Sequence, residues 1–273
     1  MQQFKKGFTH AGTFHSDDVF STAFLQILCP DIKVERGLQA PKEEEFDGII
    51  YDIGWGKFDH HQKDRRVREN GVPYAAFGLL WEAFGTEVMT PEEAKKFDEK
   101  FIQPLDLSDN TGCGAPLAEM ISEFNPTWKE KDVDVNDQFW KAVAVAKQIL
   151  ENRFKKVAAN REATVIVKKE MAEKPGKIFL LEADVPWHEA VQDSEIVYVV
   201  YESNRGGYNI QVVEDEEGNM VKALPEEWRG QPAEELQRLT GIKSFRFCHN
   251  SGFLGACETK EDAIEVAKLA LSL

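Results

Sequence analysis

Long hydrophobic runs are missing from this chain. No apolar stretch approaches the ~18 residues that a membrane-spanning helix needs. The opening residues, MQQFKKGFTH, carry no apolar core of a secretory signal. A cytoplasmic location is therefore expected, with no membrane partner. Cysteine is scarce: Cys29, Cys113, Cys248 and Cys257 are scattered, with no Cys-x-x-Cys pair. They read as small buried apolar residues. Cys248 and Cys257 flank His249, but nothing else near them has zinc-ligand spacing. Three catalytic signatures are also absent: His-Glu-x-x-His, the GxxxxGK[ST] phosphate loop and the GxSxG elbow. Their absence leaves metalloprotease, P-loop and serine-hydrolase chemistry without support. Positive charge is in deficit, with 33 Lys and Arg against 48 Asp and Glu and a net charge of −15. Such a surface repels polyphosphate at long range, so broad binding of duplex DNA is not expected. A phosphate-bearing substrate must then meet local arginines or bound metal.

The 273 residues are 42% hydrophobic and 11% aromatic, enough to bury the core of one large domain or two ordinary ones. Short apolar runs alternate with helical patterns at first. FKKGFTHAG reads as a strand ending near His10, DDVFSTAFLQIL as a helix, IKVERG as a strand and FDGIIYDIG as a buried strand ending at Asp52. PYAAFGLLWEAFG and TPEEAKKFDEKFIQPLDLSD read as two further helices, the second capped by Thr90 ahead of Pro91. A long amphipathic pattern over 137–171 closes this part. Beyond it, KIFLLEAD, SEIVYVVYES and GGYNIQVVEDEEGN read as an antiparallel sheet with Gly-rich turns, and KEDAIEVAKLALSL as a final helix. The expected fold is α/β. A doubly wound parallel-sheet domain spans 1–172, and a smaller α+β substrate-binding domain spans 173–273.

The chain has six histidines, yet His60 and His61 stand side by side after Asp59. In a doubly wound sheet the loops at the carboxyl ends of the strands converge on one crevice. His10, His15, Asp17 and Asp18 follow the first strand, and Asp52 and Asp59-His60-His61 follow a later one. Asp106 and Asp109 lie toward the end of a helix. Carboxylates gathered in one crevice repel one another unless a cation neutralises them. A mixed imidazole and carboxylate set suits Mn, Fe, Co or Zn better than Ca. The surplus of ligands is explained by two divalent ions about 3.5–4 Å apart, bridged by a carboxylate. Manganese is the expected active metal, with Mg, Co or Zn as alternatives. In the second half, Arg205 beside Gly206-Gly207 offers a planar donor to phosphate. His249, Asn250, Ser251 and Gly252 precede a helix and offer anion-binding chemistry. Arg65, Arg66 and Arg68 read as a solvated loop.

HAGTFHSDD, YDIG, FDHHQ and LDLSDN, in that order, resemble the four metal-binding motifs of the DHH phosphoesterase superfamily. Within it the chain most resembles the melanocyte-proliferating-gene (MYG) family, a group once labelled metal-dependent hydrolases. VVYESNRGGYNIQVV, ALPEEWRG and FCHNSGFLGACETKEDAIEVA carry that narrower likeness. The resemblance implies a DHH-type metal domain and a phosphoesterase, with 3′–5′ exonuclease action on single-stranded RNA or an oligonucleotide preferred. A phosphoanhydride hydrolase or a non-catalytic metal or nucleotide regulator is the alternative. By the same resemblance His10 and His15 would hold one metal. Asp17, His60 and Asp106 would hold the other, with Asp52 bridging. Asp59 would orient His60, and His61 would face the substrate as phosphate-binding cation or general acid. Asp106 and Asp109 share a helical face, and Asp106 is the favoured ligand of the two. His15 stands where the superfamily commonly has an aspartate, one residue further from His10.

Overall fold

A computed structural model describes residues 4–192, 194–215 and 217–273. The chain forms two compact units, Met1–Val157 and Ala158–Leu273.

The first unit is built on three parallel strands, β1 (Lys6–His10), β2 (Lys33–Gly37) and β3 (Ile49–Ile50), in the order β2-β1-β3. Phe8 of β1 is in register with Glu35 on one side and Ile50 on the other. From β1 the chain steps to one side for β2 and then returns to the other side for β3. The carboxyl ends of β1 and β3 therefore flank a switch point, the position where open α/β sheets leave a crevice. The strand expected over 46–54 is paired for only two residues, because Asp52 already adopts φ 56° and leaves extended geometry.

Helix α1 (Ser16–Leu28) buries Val19, Phe20, Ala23 and Phe24, the spacing of one helical face. Helix α2 (Ala76–Phe84) stacks on it through Phe20 and Phe77, with ring centroids 5.6 Å apart. The helix expected from Thr90 onward is three segments. These are α3 (Pro91–Phe97), a π-type turn at Asp98–Ile102 and α4 (Gln103–Thr111). Pro104 explains the break, since its ring crowds the carbonyl four residues back and the wider turn accommodates it. Thr90 caps α3 as expected: its hydroxyl accepts the Glu93 N–H at 3.3 Å, and Glu93 accepts the Thr90 N–H at 2.9 Å. A short α5 (Pro116–Ser122) precedes α6 (Val135–Glu173), which contains the boundary between the units. Trp81 and Phe97, 4.8 Å apart, and Phe97 and Phe101, 5.0 Å apart, anchor an aromatic core shared by α2, α3 and the π-type turn.

The second unit holds a five-stranded mixed sheet in the order β4-β5-β6-β8-β7. Its strands are β4 (Ile178–Leu180), β5 (Tyr198–Glu202), β6 (Tyr208–Val212), β7 (Phe245–Cys248) and β8 (Leu254–Cys257). An all-antiparallel sheet was expected, but β4 and β5 pair in parallel. The connection between them carries a one-turn helix, α7 (His188–Val191), and is long enough for a crossover. Helix α8 (Ala233–Thr240) leads into β7. Helix α9 (Lys260–Ser272) lays Ala263, Val266, Ala267 and Ala270 into a core with Tyr198, Ile210 and Phe245. Cys29, Cys248 and Cys257 are buried and Cys113 is exposed.

Gly78 on α2 lets α4 approach closely. Its N–H donates to Asp106 Oδ1 at 3.2 Å, and a Cβ there would overlap the Asp106 carboxylate and the Arg68 guanidinium. Gly→Ala inside a helix ordinarily stabilises by roughly 0.5–1 kcal/mol. Gly78→Ala should do the reverse, destabilising by about 1–3 kcal/mol through overpacking. Denaturant titration checks the sign, and a stabilised variant would contradict this packing.

Candidate metal centre

The crevice at the switch point is built from five short segments. His10 ends β1, and His15, Asp17 and Asp18 straddle the start of α1. Asp52 follows β3, and the Asp59-His60-His61 loop comes seven residues later; Asp109 sits on α4. The left-handed backbone of Asp52, a conformation Asp tolerates better than most side chains, turns its carboxylate between two imidazoles. His10 Nε2 lies 3.1 Å from Asp52 Oδ2, and His60 Nε2 lies 3.2 Å from Asp52 Oδ1. Consecutive residues on α1 then serve the two sides. Asp18 Oδ2 is 3.2 Å from His10 Nε2, and Asp17 Oδ2 is 3.4 Å from His60 Nε2. Asp109 Oδ2 completes the ring around His60 Nε2 at 3.3 Å. Donor atoms cluster within 4.8 Å in three sets: His10/Asp18/Asp52, Asp52/His60/His61 and His15/Asp17/Asp109. His10, His15, Asp52, His60, His61 and Asp109 line a cavity of about 1200 Å³ in the first unit.

The electrostatics follow from that crowding. Burial disfavours a charged His60, but the close Asp17 and Asp52 carboxylates outweigh it and raise its pKa to about 11. His10 is raised to about 9 in the same way, against burial, by Asp52 and Asp18. Asp109 is pushed up to about 9 by burial and by the neighbouring Asp17 and Asp52 charges. Asp17 is held low despite complete burial, because His60 and His15 face it and Asp109 donates a shared proton. Asp17 Oδ1 has no hydrogen-bond partner among the described residues. The imidazole nitrogens 3.2 Å from Asp18 Oδ2 and Asp52 Oδ1 are not aligned as hydrogen bonds.

The family model described as an uncharacterised protein family (UPF0160), MYG1 exonuclease, matches residues 7–271. The chain belongs to that family. It is 27% identical to the human protein named MYG1 exonuclease, over 97% of this chain and 85% of the relative. It is 26% identical to MYG1 exonuclease of Rattus norvegicus, over 97% and 84%. A MYG1 protein of Schizosaccharomyces pombe is 27% identical over 96% of both chains. No solved structure matches.

Within this MYG1-family chain the geometry departs from several expectations. Asp106, the favoured ligand, is turned away from the imidazoles. Its Oδ2 accepts from Arg68 Nη2 at 2.8 Å and its Oδ1 from the Gly78 N–H. Asp109 has the place by His60. Asp59 does not orient His60; its Oδ1 is 2.7 Å from His61 Nδ1, while its Oδ2 accepts the Trp55 N–H at 2.7 Å. His10 and His15 fall in different sets. Asp18, to which the resemblance gave no ligand role, joins His10 and Asp52. Neither burial nor direction could be read for it from the sequence.

The three arginines after the histidine pair divide. Arg65 lines the crevice, with Nη1 3.1 Å from Asn110 Oδ1. Arg66 forks onto Glu82 at 2.5 and 2.8 Å. Arg68 is buried, not solvated, and binds Asp98 as well as Asp106. In the second unit Arg205 sits on the β5–β6 turn, where Gly206 and Gly207 have φ 81° and 73°. His249, Asn250, Ser251 and Gly252 form the β7–β8 turn, with His249 Nδ1 2.9 Å from Ser251 Oγ. β8 intervenes before α9, so this segment is no helix N-terminus.

Two outcomes follow. Asp109→Ala should lower metal stoichiometry with little loss of stability. Asp106→Ala should keep metal yet destabilise by roughly 3 kcal/mol, the low end for breaking a buried pair, since Asp98 still holds Arg68 and burial already raises Asp106 to about 7. Metal analysis and denaturant unfolding of both variants read this directly. Ligation must also displace protons from His10, His60 and Asp109, so manganese affinity should climb with pH through about 9 and on toward about 11. Titration calorimetry in two buffers of different ionisation enthalpy measures the protons released; zero release would contradict it.

Proposed function

We propose that this chain is a divalent-metal-dependent phosphoesterase that hydrolyses phosphodiester bonds, acting as a 3′–5′ exonuclease on RNA or short single-stranded nucleic acid. The hydrolase class is supported by family membership and by relatives named exonucleases. One observation carries the metal dependence: four imidazoles and four carboxylates converge in three sets, two of which share Asp52. Buried carboxylate oxygens without aligned hydrogen bonds fit a cation rather than a purely structural network. His10, Asp18 and Asp52 would hold one ion. Asp17, His60 and Asp109, with Asp52 shared and His15 beside them, would hold a second. Manganese is the favoured metal, with Mg, Co or Zn as alternatives. When bound, two such ions supply a water acidified toward neutral pH and positive charge for phosphoryl oxygens.

The chain's own side chains do the rest. Asp59 fixes the His61 ring through Nδ1 and leaves Nε2 for a substrate proton. The ring is half-exposed at the cavity, as a group meeting a leaving oxygen must be. Arg65 places a guanidinium on the same cavity and answers the need for local positive charge in an acidic protein. In this reading residues 1–172 are the catalytic domain and 173–273 bind substrate, with Arg205 and the His249–Gly252 turn as contacts.

The deciding assay uses manganese with single-stranded RNA, single-stranded DNA, a dinucleotide, pyrophosphate and a peptide control. Cleavage of the oligonucleotides with no action on peptide is expected. Cleavage of pyrophosphate alone would replace the reading with a phosphoanhydride hydrolase, and no cleavage at all with a regulator. His61→Ala should retain metal but lower turnover by about 10²–10⁴-fold, the usual worth of general acid–base help. His60→Ala should lose metal as well. With p-nitrophenolate as leaving group the His61→Ala defect should shrink. A defect equal on both leaving groups would remove His61 from the proton transfer.

A further inference from the structure

Trp55, in the loop between β3 and the histidine pair, has a position that the metal site does not explain. It is 70% exposed, yet its backbone is held at φ 62°, a left-handed conformation that a bulky side chain rarely adopts. Both neighbours, Gly54 and Gly56, are glycines for which such a turn would be free. The strain is sustained by the Asp59 carboxylate, which accepts the Trp55 N–H and the His61 ring on its two oxygens. Outliers of this kind gather where a ligand must be clamped. Asp59 thus ties the position of an exposed indole to that of the histidine facing the substrate.

Trp55 also stands between two cavities. On one side is the metal crevice. On the other is a groove of about 450 Å³, in which Leu38, Ala40, Pro41, Ile50 and Ile53 stand beside Gln39, Lys42 and Glu43. The volume lies within the roughly 300–1,000 Å³ of small-ligand pockets. Gly54 brings the groove's two sides together, since a Cβ there would stand 2.7 Å from Ala40 Cβ. Leu38, at the groove's lip, is 83% exposed. Two large apolar side chains left in solvent on one groove are a patch waiting for an apolar, flat partner. Trp128 is more exposed still but lines neither cavity, so exposure alone does not single out Trp55.

We infer that Trp55 is a stacking platform for the nucleobase next to the scissile phosphate, with the Leu38–Pro41 groove taking that base. The inference rests on the phosphodiesterase reading above and adds to it a positioning and specificity residue. A nucleobase is flat, apolar on its faces and joined to the phosphate by one sugar, which matches an indole sharing a wall with the metal crevice. Stacking accepts every base, so this site gives grip without strong sequence preference.

The test compares short single-stranded oligonucleotides carrying a normal terminal nucleotide with ones carrying an abasic (tetrahydrofuran) terminal nucleotide, in manganese, as kcat/KM ratios. The parent protein should prefer the base by roughly 10- to 100-fold, the range of one base–aromatic stack. Trp55→Leu should bring the ratio to within about twofold, mainly through KM, and Trp55→Phe should keep most of it. Leu38→Asp, in the same groove, should narrow the ratio while Trp55 is intact. Metal content and thermal unfolding of each variant establish that the fold persists. A parent protein cleaving both substrates equally, or a Trp55→Leu variant keeping the parent's ratio, overturns the platform and leaves the phosphodiesterase reading standing. A parent protein that cleaves no oligonucleotide sinks that reading and the platform with it.

Discussion

Repulsion between buried carboxylates is the constraint on which the first unit depends. Asp17, Asp18 and Asp52, all buried, and the partly buried Asp109 are drawn within a few ångströms of one another, where screening by water is reduced. Histidines hold the arrangement in two halves, His10 between Asp18 and Asp52 and His60 among Asp17, Asp52 and Asp109. Asp52 belongs to both halves. The raised pKa of Asp109 records that repulsion, and the raised pKa values of His10 and His60 record the imidazolium–carboxylate attraction that offsets it.

The scaffold around the crevice is correspondingly rigid. Parallel strands β1 and β3 aim two loops at one point, and α1 enters it with its N-terminus, where acidic side chains sit favourably against the helix dipole. Helix α4 is fixed against α2 by a second, separate charge system, in which Arg68 is shared by Asp98 and Asp106 and lies over the Tyr74 ring at 3.9 Å. That brace places Asp109, one turn on, at the crevice. The two aspartates of α4 therefore divide their labour: one locks the helix and the other faces the imidazoles.

Much was legible in the residues themselves. Strand, loop and helix order through the first 60 residues, the cap at Thr90 and the convergence of four histidines on one crevice all follow from periodicity and chain order. Where the reading failed, the cause was physical. Pro104 split a helix that the apolar pattern made continuous. β4 pairs in parallel because the long connection to β5 allows a crossover, which no local pattern reveals. The HNSG segment turns between two strands because LGAC, four apolar or small residues, adds β8 before α9 begins.

The sequence by itself determined the chemical inventory: imidazoles and carboxylates in excess, arginines nearby, and an ordered set of motifs that resembles one family. Only the tertiary structure decided which atoms meet. Asp106 and Asp109 are three residues apart, share a helical face and differ by about 4.5 Å along the axis, so periodicity cannot separate them. Arg68 and Gly78, distant in the chain, claim the first and free the second. Likewise Asp59 adjoins both histidines in sequence, and the turn that carries Trp55 directs it to His61. Side-chain type is written locally, but direction and burial come from contacts across the fold, and a metal or substrate responds to those.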